Sequence, residues 1–213
     1  MAIDDLLDEH EQGERVRAWL RKNGAGLIGG VVVGLGLILG WQAWQKQQLT
    51  HAAEAGRRYD AVVKGVEAGK LDEAAKAMQD LSAAKAAGVY VDLAALDLAK
   101  AQVAAGKNDE AIKTLRGIQA DGALKLVVDQ RLAKLLIDAN QAAEADKLLA
   151  GHDDGISLEI RGDAAQAQGQ RDAARDLYTK ALAQVAVGAP QRALLEVKLT
   201  DAGGTVPEPA EQI

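Results

Sequence analysis

From Asn23 to Gln45 the chain carries no charged residue, and this run fixes where the rest of the polypeptide can reside. Its centre, Leu27-Ile28-Gly29-Gly30-Val31-Val32-Val33-Gly34-Leu35-Gly36-Leu37-Ile38-Leu39-Gly40, is apolar, and Trp41 and Trp44 close it. At about 1.5 Å per residue, a helix over residues 24–44 is roughly 30 Å long, the thickness of a bilayer's hydrocarbon core. One transmembrane helix over residues 23–45 is therefore expected. Arg15, Arg17, Arg21 and Lys22 crowd the side before it, whereas Lys46 stands alone beyond it until Arg57 and Arg58. Basic residues close to a span resist translocation, so residues 1–22 are expected in the cytoplasm and the remainder across the membrane. The paired tryptophans suit the membrane interface.

A cleavable signal peptide combines the same two parts, but three features oppose it. The basic cluster begins only at residue 15, the apolar run exceeds a signal peptide's apolar region, and Gly40-Trp41-Gln42-Ala43-Trp44 offers no small-x-small cleavage site. Ala53-Glu54-Ala55 has that form but lies well past the run. A retained anchor is expected instead.

The span is uneven round its circumference. At about 100° per residue, Gly26, Gly29, Gly30, Gly34, Gly36 and Gly40 share one side, and Ile28, Val31, Leu35, Ile38 and Leu39 lie opposite. The spacings Gly26-Gly30-Gly34 and Gly36-Gly40 would let a second helix backbone approach closely within lipid. These five glycines are the expected helix-packing face. Gly34-Leu35-Gly36 could suggest a nucleotide loop, but it follows no strand and falls at bilayer depth.

Beyond the span, from residue 46 on, 25 Asp and Glu are interspersed with 21 Lys and Arg. A mildly acidic surface excludes a nucleic-acid binder, which needs a basic face. Cysteine and phenylalanine are absent, and the aromatics here are Tyr59, Tyr90 and Tyr178, so closely packed helices are favoured over sheets.

This region repeats itself. Gly69-Lys70-Leu71-Asp72-Glu73-Ala74-Ala75 returns as Gly106-Lys107-Asn108-Asp109-Glu110-Ala111-Ile112, with weaker echoes at Asn140-Gln141-Ala142-Ala143-Glu144-Ala145 and Gly169-Gln170-Arg171-Asp172-Ala173-Ala174. Aligned on Ala74, Ala111, Ala145 and Ala174, the separations are 37, 34 and 29 residues, which bracket the tetratricopeptide period. In each unit a first helix is expected to stop at Gly69, Gly106, Asn140 or Gly169, residues that tolerate a left-handed conformation. Acidic residues open the second helix, its alanine permits close approach to the first, and Met78, Leu115, Leu149 or Tyr178 fills space four positions on. Leu93, Leu96, Ala99 and Val103, and Leu124, Val127, Val128, Leu132, Leu135 and Leu136, form apolar stripes on first helices. Gly162, Ala165 and Gly169 mark a close crossing in the last unit, and Pro190 opens a final covering helix to about Thr200. The expected architecture is all-α: one N-terminal transmembrane helix followed by a tetratricopeptide-like α-hairpin solenoid over residues 46–200. Residues 201–213 read as a disordered tail, and the first dozen residues as loose.

Lys22-Asn23-Gly24, the glycine-rich span, Gly40-Trp41 with Trp44, and Arg161-Gly162-Asp163 with Gly169 together resemble the YfgM family. Asp8-Glu9-His10-Glu11-Gln12 is similar too. The resemblance is sharpest over residues 8–45 and 155–180, and the stretch after Thr200 departs from it. It implies an ancillary subunit of the SecYEG translocon in Gram-negative bacteria. Such a subunit is a single-pass inner-membrane protein whose periplasmic repeats work beside a membrane-anchored, prolyl-isomerase-like chaperone in the handover or folding of exported polypeptides.

Chemistry finds little support. His10, His51 and His152 are scattered, and His152-Asp153-Asp154, between Gly151 and Gly155, reads as a solvated turn rather than a metal site. No catalytic residue, metal or cofactor is expected. In tetratricopeptide arrays the first helices line the concave side, which places a partner groove at Leu96, Lys100, Val103, Gln130, Lys134, Ile137, Glu159 and Asp163. The alternative within the same architecture is an envelope scaffold that organises wall synthesis or division complexes.

Overall fold

The computed structural model describes residues 13–84 and 87–207; the expectations placed on residues 1–12 and on the tail beyond Pro207 fall outside the described residues. Every regular element among the described residues is helical: α1 (Ala2–Glu67), α2 (Leu71–Ser82), α3 (Val89–Ala104), α4 (Asn108–Arg116), α5 (Gly122–Asp138), α6 (Ala142–Leu148), α7 (Gly155–Ala167), α8 (Arg171–Ala183) and α9 (Arg192–Asp201). The chain divides into two compact units, residues 1–53 and 54–213.

The first unit is helix throughout its described part, and it contains a stretch long and apolar enough to cross a membrane. Its large apolar side chains have no protein to pack against: Ile28, Leu37 and Leu39 are all more than 60 % exposed. In water this surface would forgo roughly 25 cal/mol for each Å² that burial would gain, and its length and composition fit a bilayer.

The second unit is built from reversals that recur at one kind of residue. Gly69, Gly106, Asn140, Gly169 and Gly203 all have positive φ, between 60° and 82°. After each, two backbone N–H groups turn back into the helix just ended. Gly69 N donates to Val66 O and Lys70 N to Gly65 O; Gly106 N donates to Val103 O and Lys107 N to Gln102 O. The same pair recurs at Asn140 and Gln141, at Gly169 and Gln170, and at Gly203 and Gly204. These are Schellman caps, which satisfy the orphan carbonyls of a helix end within two residues. The chain therefore re-enters a helix almost at once, and α2, α4, α6 and α8 each start two residues past the left-handed residue. Asn140 holds the position where the other caps use glycine, because its short polar side chain tolerates the left-handed region.

Tight reversal brings helix pairs close, and small residues sit where they meet. Ala74, Ala111, Ala145 and Ala174 are all fully buried. A side chain added at Gly65 would stand 3.0 Å from Ala74, and one at Gly162 would stand 2.4 Å from the Tyr178 ring. Leu115, Leu149 and Tyr178 are buried as the repeat pattern expects, and Met78 is half-buried at the edge. Three core clusters follow in chain order. The first joins the end of α1 to α2 and α3, the second runs from α3 to α7, and the third unites α7, α8 and α9.

Two expectations need correction. The buried surface of α3 is wider than the expected stripe: Leu96 and Ala99 are buried, but Leu93 and Val103 are 39 % and 40 % exposed, while Ala94, Ala95, Leu98 and Gln102 are buried as well. A helix inside a stack packs against both neighbours, so a single face does not describe it. The chain also stays packed past residue 201. Asp201 ends α9, Ala202 is buried, and Gly204 lies so close to Leu199 that an added side chain would collide with it.

Gly162→Ala is expected to lower the stability of this unit by about 1–3 kcal/mol, since the new methyl must displace a buried ring whose hydroxyl is already hydrogen-bonded. Urea denaturation followed by helical circular dichroism measures it; an unchanged midpoint would show that the α7–α8 approach has slack.

Candidate partner-binding groove

Helix α3 presents Leu96, Lys100 and Val103 at spacings of four and three, which places them on one helical side. These residues meet Arg131, Lys134 and Leu135 of α5 across a groove of about 340 Å³, with Ala99 and Leu115 beneath. Leu96, Ala99, Leu115 and Leu135 are buried in its floor, and Val103 remains 40 % exposed on its wall. The charged residues that line it are Lys100, Arg131 and Lys134, with no carboxylate among them. None of the three makes an ion pair or hydrogen bond among the described residues. Their neighbours differ: Lys125 of α5 is paired with Asp129 at 2.6 Å, and Arg116 of α4 with Glu144 at 2.8 Å.

Of the eight residues expected in a groove, Leu96, Lys100, Val103 and Lys134 come together here. Ile137 is half-buried against the central core cluster. Gln130 turns to the next repeat, where its Nε2 donates to Asp154 Oδ1 and Ser157 Oγ, both at 3.0 Å. Arg131 takes the place expected for Gln130, since a shift of one residue rotates a helical side chain by about 100°. The repeats are too degenerate to fix register that closely. A basic pair at i, i+3, Arg131 and Lys134, was the available signal.

Asp154 is the cap of α7. It accepts from Ser157 N at 3.0 Å, and although burial pushes its carboxyl up, the hydrogen bonds from Ser157 hold it below the usual range. The turn containing His152 and Asp153 thus serves to start a helix. Among the described residues, no three His, Asp or Glu side chains gather closely enough to hold a metal ion.

Glu159 and Asp163 belong to a different constellation. Lys198 of α9 donates to Glu159 Oε1 at 2.6 Å and Asp163 Oδ2 at 2.8 Å, and Tyr178 of α8 donates to Asp163 Oδ1 at 2.8 Å. Burial would lower the pKa of Lys198, but its bonds to the two carboxylates outweigh that and raise it. Burial and the neighbouring charge of Asp163 push the Tyr178 hydroxyl well above its ordinary range. The network locks three helices together beside a cavity of about 350 Å³ lined by Gln166 and Asp201 among others.

On the apolar stretch of α1, a side chain added at Gly26, Gly30, Gly34, Gly36 or Gly40 would meet nothing within 4 Å. Trp41 and Trp44 stand with ring centroids 5.1 Å apart, and both are exposed.

A tetratricopeptide repeat-like domain family matches residues 17–204, from the basic flank of the apolar stretch to the last Schellman cap. The ancillary SecYEG translocon subunit of Escherichia coli (strain K12) is 32 % identical over 178 residues, which cover 80 % of this chain and 85 % of that one. The chain belongs to the YfgM family. A second YfgM relative, the ancillary SecYEG translocon subunit of Haemophilus influenzae (strain ATCC 51907 / DSM 11121 / KW20 / Rd), is 29 % identical over 96 residues, 44 % of this chain and 46 % of that protein. Among solved structures, the nearly identical TPR-like repeats of a Podosopora anserina protein assigned as a kinesin light chain superpose with a TM-score of 0.50. That match covers 70 % of this chain and 85 % of the other at 18 % identity, and it bears on the fold alone. Family and repeat architecture agree, and both point to an interaction module.

Lys198→Ala is expected to destabilise the α7–α9 end by about 1–3 kcal/mol, because two half-buried carboxylates lose their cation. Wild-type stability should also decline as pH rises above about 10. The unfolded chain releases the Lys198 and Tyr178 protons near pH 10.5 and 10.0, whereas the folded chain holds both to higher pH, so alkali favours unfolding. Tyr178→Phe should soften that decline in urea midpoints measured between pH 8 and about 11. An identical alkaline profile in the two proteins would contradict this account.

Proposed function

We propose that the chain is a membrane-anchored, periplasmic ancillary subunit of the SecYEG translocon. The observation that carries this reading is the 32 % identity to a protein of that name over a span that includes both the apolar stretch and the repeats. The basic flank at Arg15, Arg17, Arg21 and Lys22 supports a cytoplasmic amino end. The glycine face at Gly26, Gly30, Gly34, Gly36 and Gly40, open in the structure, is suited to a helix of a membrane partner, and Trp41 and Trp44 to the outer interface.

The repeats then hold a docking surface beside the channel, with Leu96, Lys100, Val103 and Lys134 at its centre. Exported polypeptides, or a membrane-anchored chaperone of the prolyl-isomerase type, would be received there. Anchoring supplies much of the effect, because confinement raises the effective concentration of a weak site towards the millimolar range without any new contact. No bond is made or broken in this role, in keeping with the interaction-module character of the family.

Photocrosslinking residues placed at Gly30 and Gly34, and separately at Lys100 and Lys134, should capture translocon subunits from the first pair and chaperone or nascent chains from the second in native membranes. Capture of wall-synthesis or division enzymes in their place would favour an envelope scaffold and remove the translocon reading. Orientation has its own test: protease added to spheroplasts is expected to digest the repeats, and their survival would reverse the topology.

A further inference from the structure

We propose that the groove between α3 and α5 receives a short segment of a partner protein in which carboxylates flank an apolar side chain. This deepens the docking role just described and rests on it for the biological setting, though not for its chemistry. Lys100 on one wall faces Arg131 and Lys134 on the other, and none of them has an acidic partner among the described residues. The floor between them is apolar, with Leu96 and Leu135 buried and Val103 40 % exposed. Three cations gathered round one groove with no carboxylate in its lining, in a chain of net charge −6, favour charge brought from outside. Exposed ammonium and guanidinium groups keep their water until a ligand arrives, so they steer and select an acidic partner while the apolar floor retains it.

Alternative anions fit less well. A nucleic-acid strand would use aromatic stacking platforms, and no aromatic residue lines the groove. A free phosphate would satisfy the cations but leave the apolar floor between them uncovered. A peptide carrying both kinds of group answers both features. Arg131 adds planar, bidentate carboxylate recognition that a lysine cannot supply.

The test uses the full-length protein in nanodiscs of neutral lipid and a short, blocked, fluorescent peptide of alternating leucine and glutamate. Fluorescence anisotropy should show binding that weakens as salt rises, and the glutamine counterpart should bind at least about tenfold more weakly. A Lys100→Gln, Arg131→Gln, Lys134→Gln variant should lose about tenfold for the glutamate peptide, with an unchanged urea midpoint confirming that it is folded. Lys64→Gln, Lys113→Gln and Lys180→Gln together, which change net charge equally away from the groove, should leave binding as in the wild type. Equal binding of the two peptides, equal losses in the two triple variants, or no binding at about 1 mM peptide would each overturn the proposal. So would displacement of the peptide by anionic phospholipid vesicles acting through the same three residues, which would make this a lipid face. Translocon crosslinks that persist from Gly30 and Gly34 when the peptide fails to bind would sink the groove chemistry alone, and their loss would sink the translocon reading.

Discussion

Close contact between successive antiparallel helices governs the repeat unit, and it depends on a single left-handed residue at the end of each first helix. Gly69, Gly106, Asn140 and Gly169 let the chain satisfy its last carbonyls and turn within two residues. With so short a connection the second helix has no freedom to stand off. It must lie against the first, and the contact point falls within a turn of its start. A buried alanine stands there in every unit, and a long side chain would force the pair apart or break the cap. Cap and alanine therefore form one device. The acidic residues beside them, Asp72 and Glu73 or Asp109 and Glu110, assist by facing the positive end of the second helix dipole.

Stacking gives the device its scale. One hairpin cannot bury both of its helices, so each core cluster draws side chains from the neighbouring unit. The stack then needs an end that leaves no buried charge unpaired. Helix α9 supplies it by laying Leu195 and Leu199 against Tyr178 and Leu182, and by sending Lys198 to two carboxylates of α7. Its own outer positions, Leu194 and Val197, stay exposed. Gly203 and Gly204 repeat the cap motif once more, now to close the unit rather than to turn it into another hairpin.

Much of this was legible in the residues because it is local. A left-handed stop, an acidic first turn and a small residue at the contact are encoded within about seven positions, so the hairpins, their stops and their buried alanines could all be read directly. What escaped was decided between elements. The second buried side of α3, at Ala94, Ala95 and Leu98, depends on which helix lies behind it, and no single stripe shows that. The groove shows the same limit. Lys100, Val103 and Lys134 are visible as helix-face residues, but the unequal spacings of 37, 34 and 29 residues leave the register of α5 loose by one position and do not distinguish Arg131 from Gln130. Glu159 and Asp163 were drawn to the groove by periodicity, while Lys198, nearly forty residues downstream, claims them both.

The same distinction separates the two kinds of cation on these repeats. Lys198 is held by short bonds in a half-buried setting, where removing it leaves charges uncompensated, so its work is structural. Lys100, Arg131 and Lys134 are exposed and make no such bonds, so the fold gains nothing from their charge and removing it should cost the fold little. Exposed charges are screened over roughly 8 Å at physiological salt, which keeps any one contact in the groove weak and quickly reversible. In the proposed role, tethering raises occupancy without slowing release, so modest affinity suffices where a freely diffusing binder would need more.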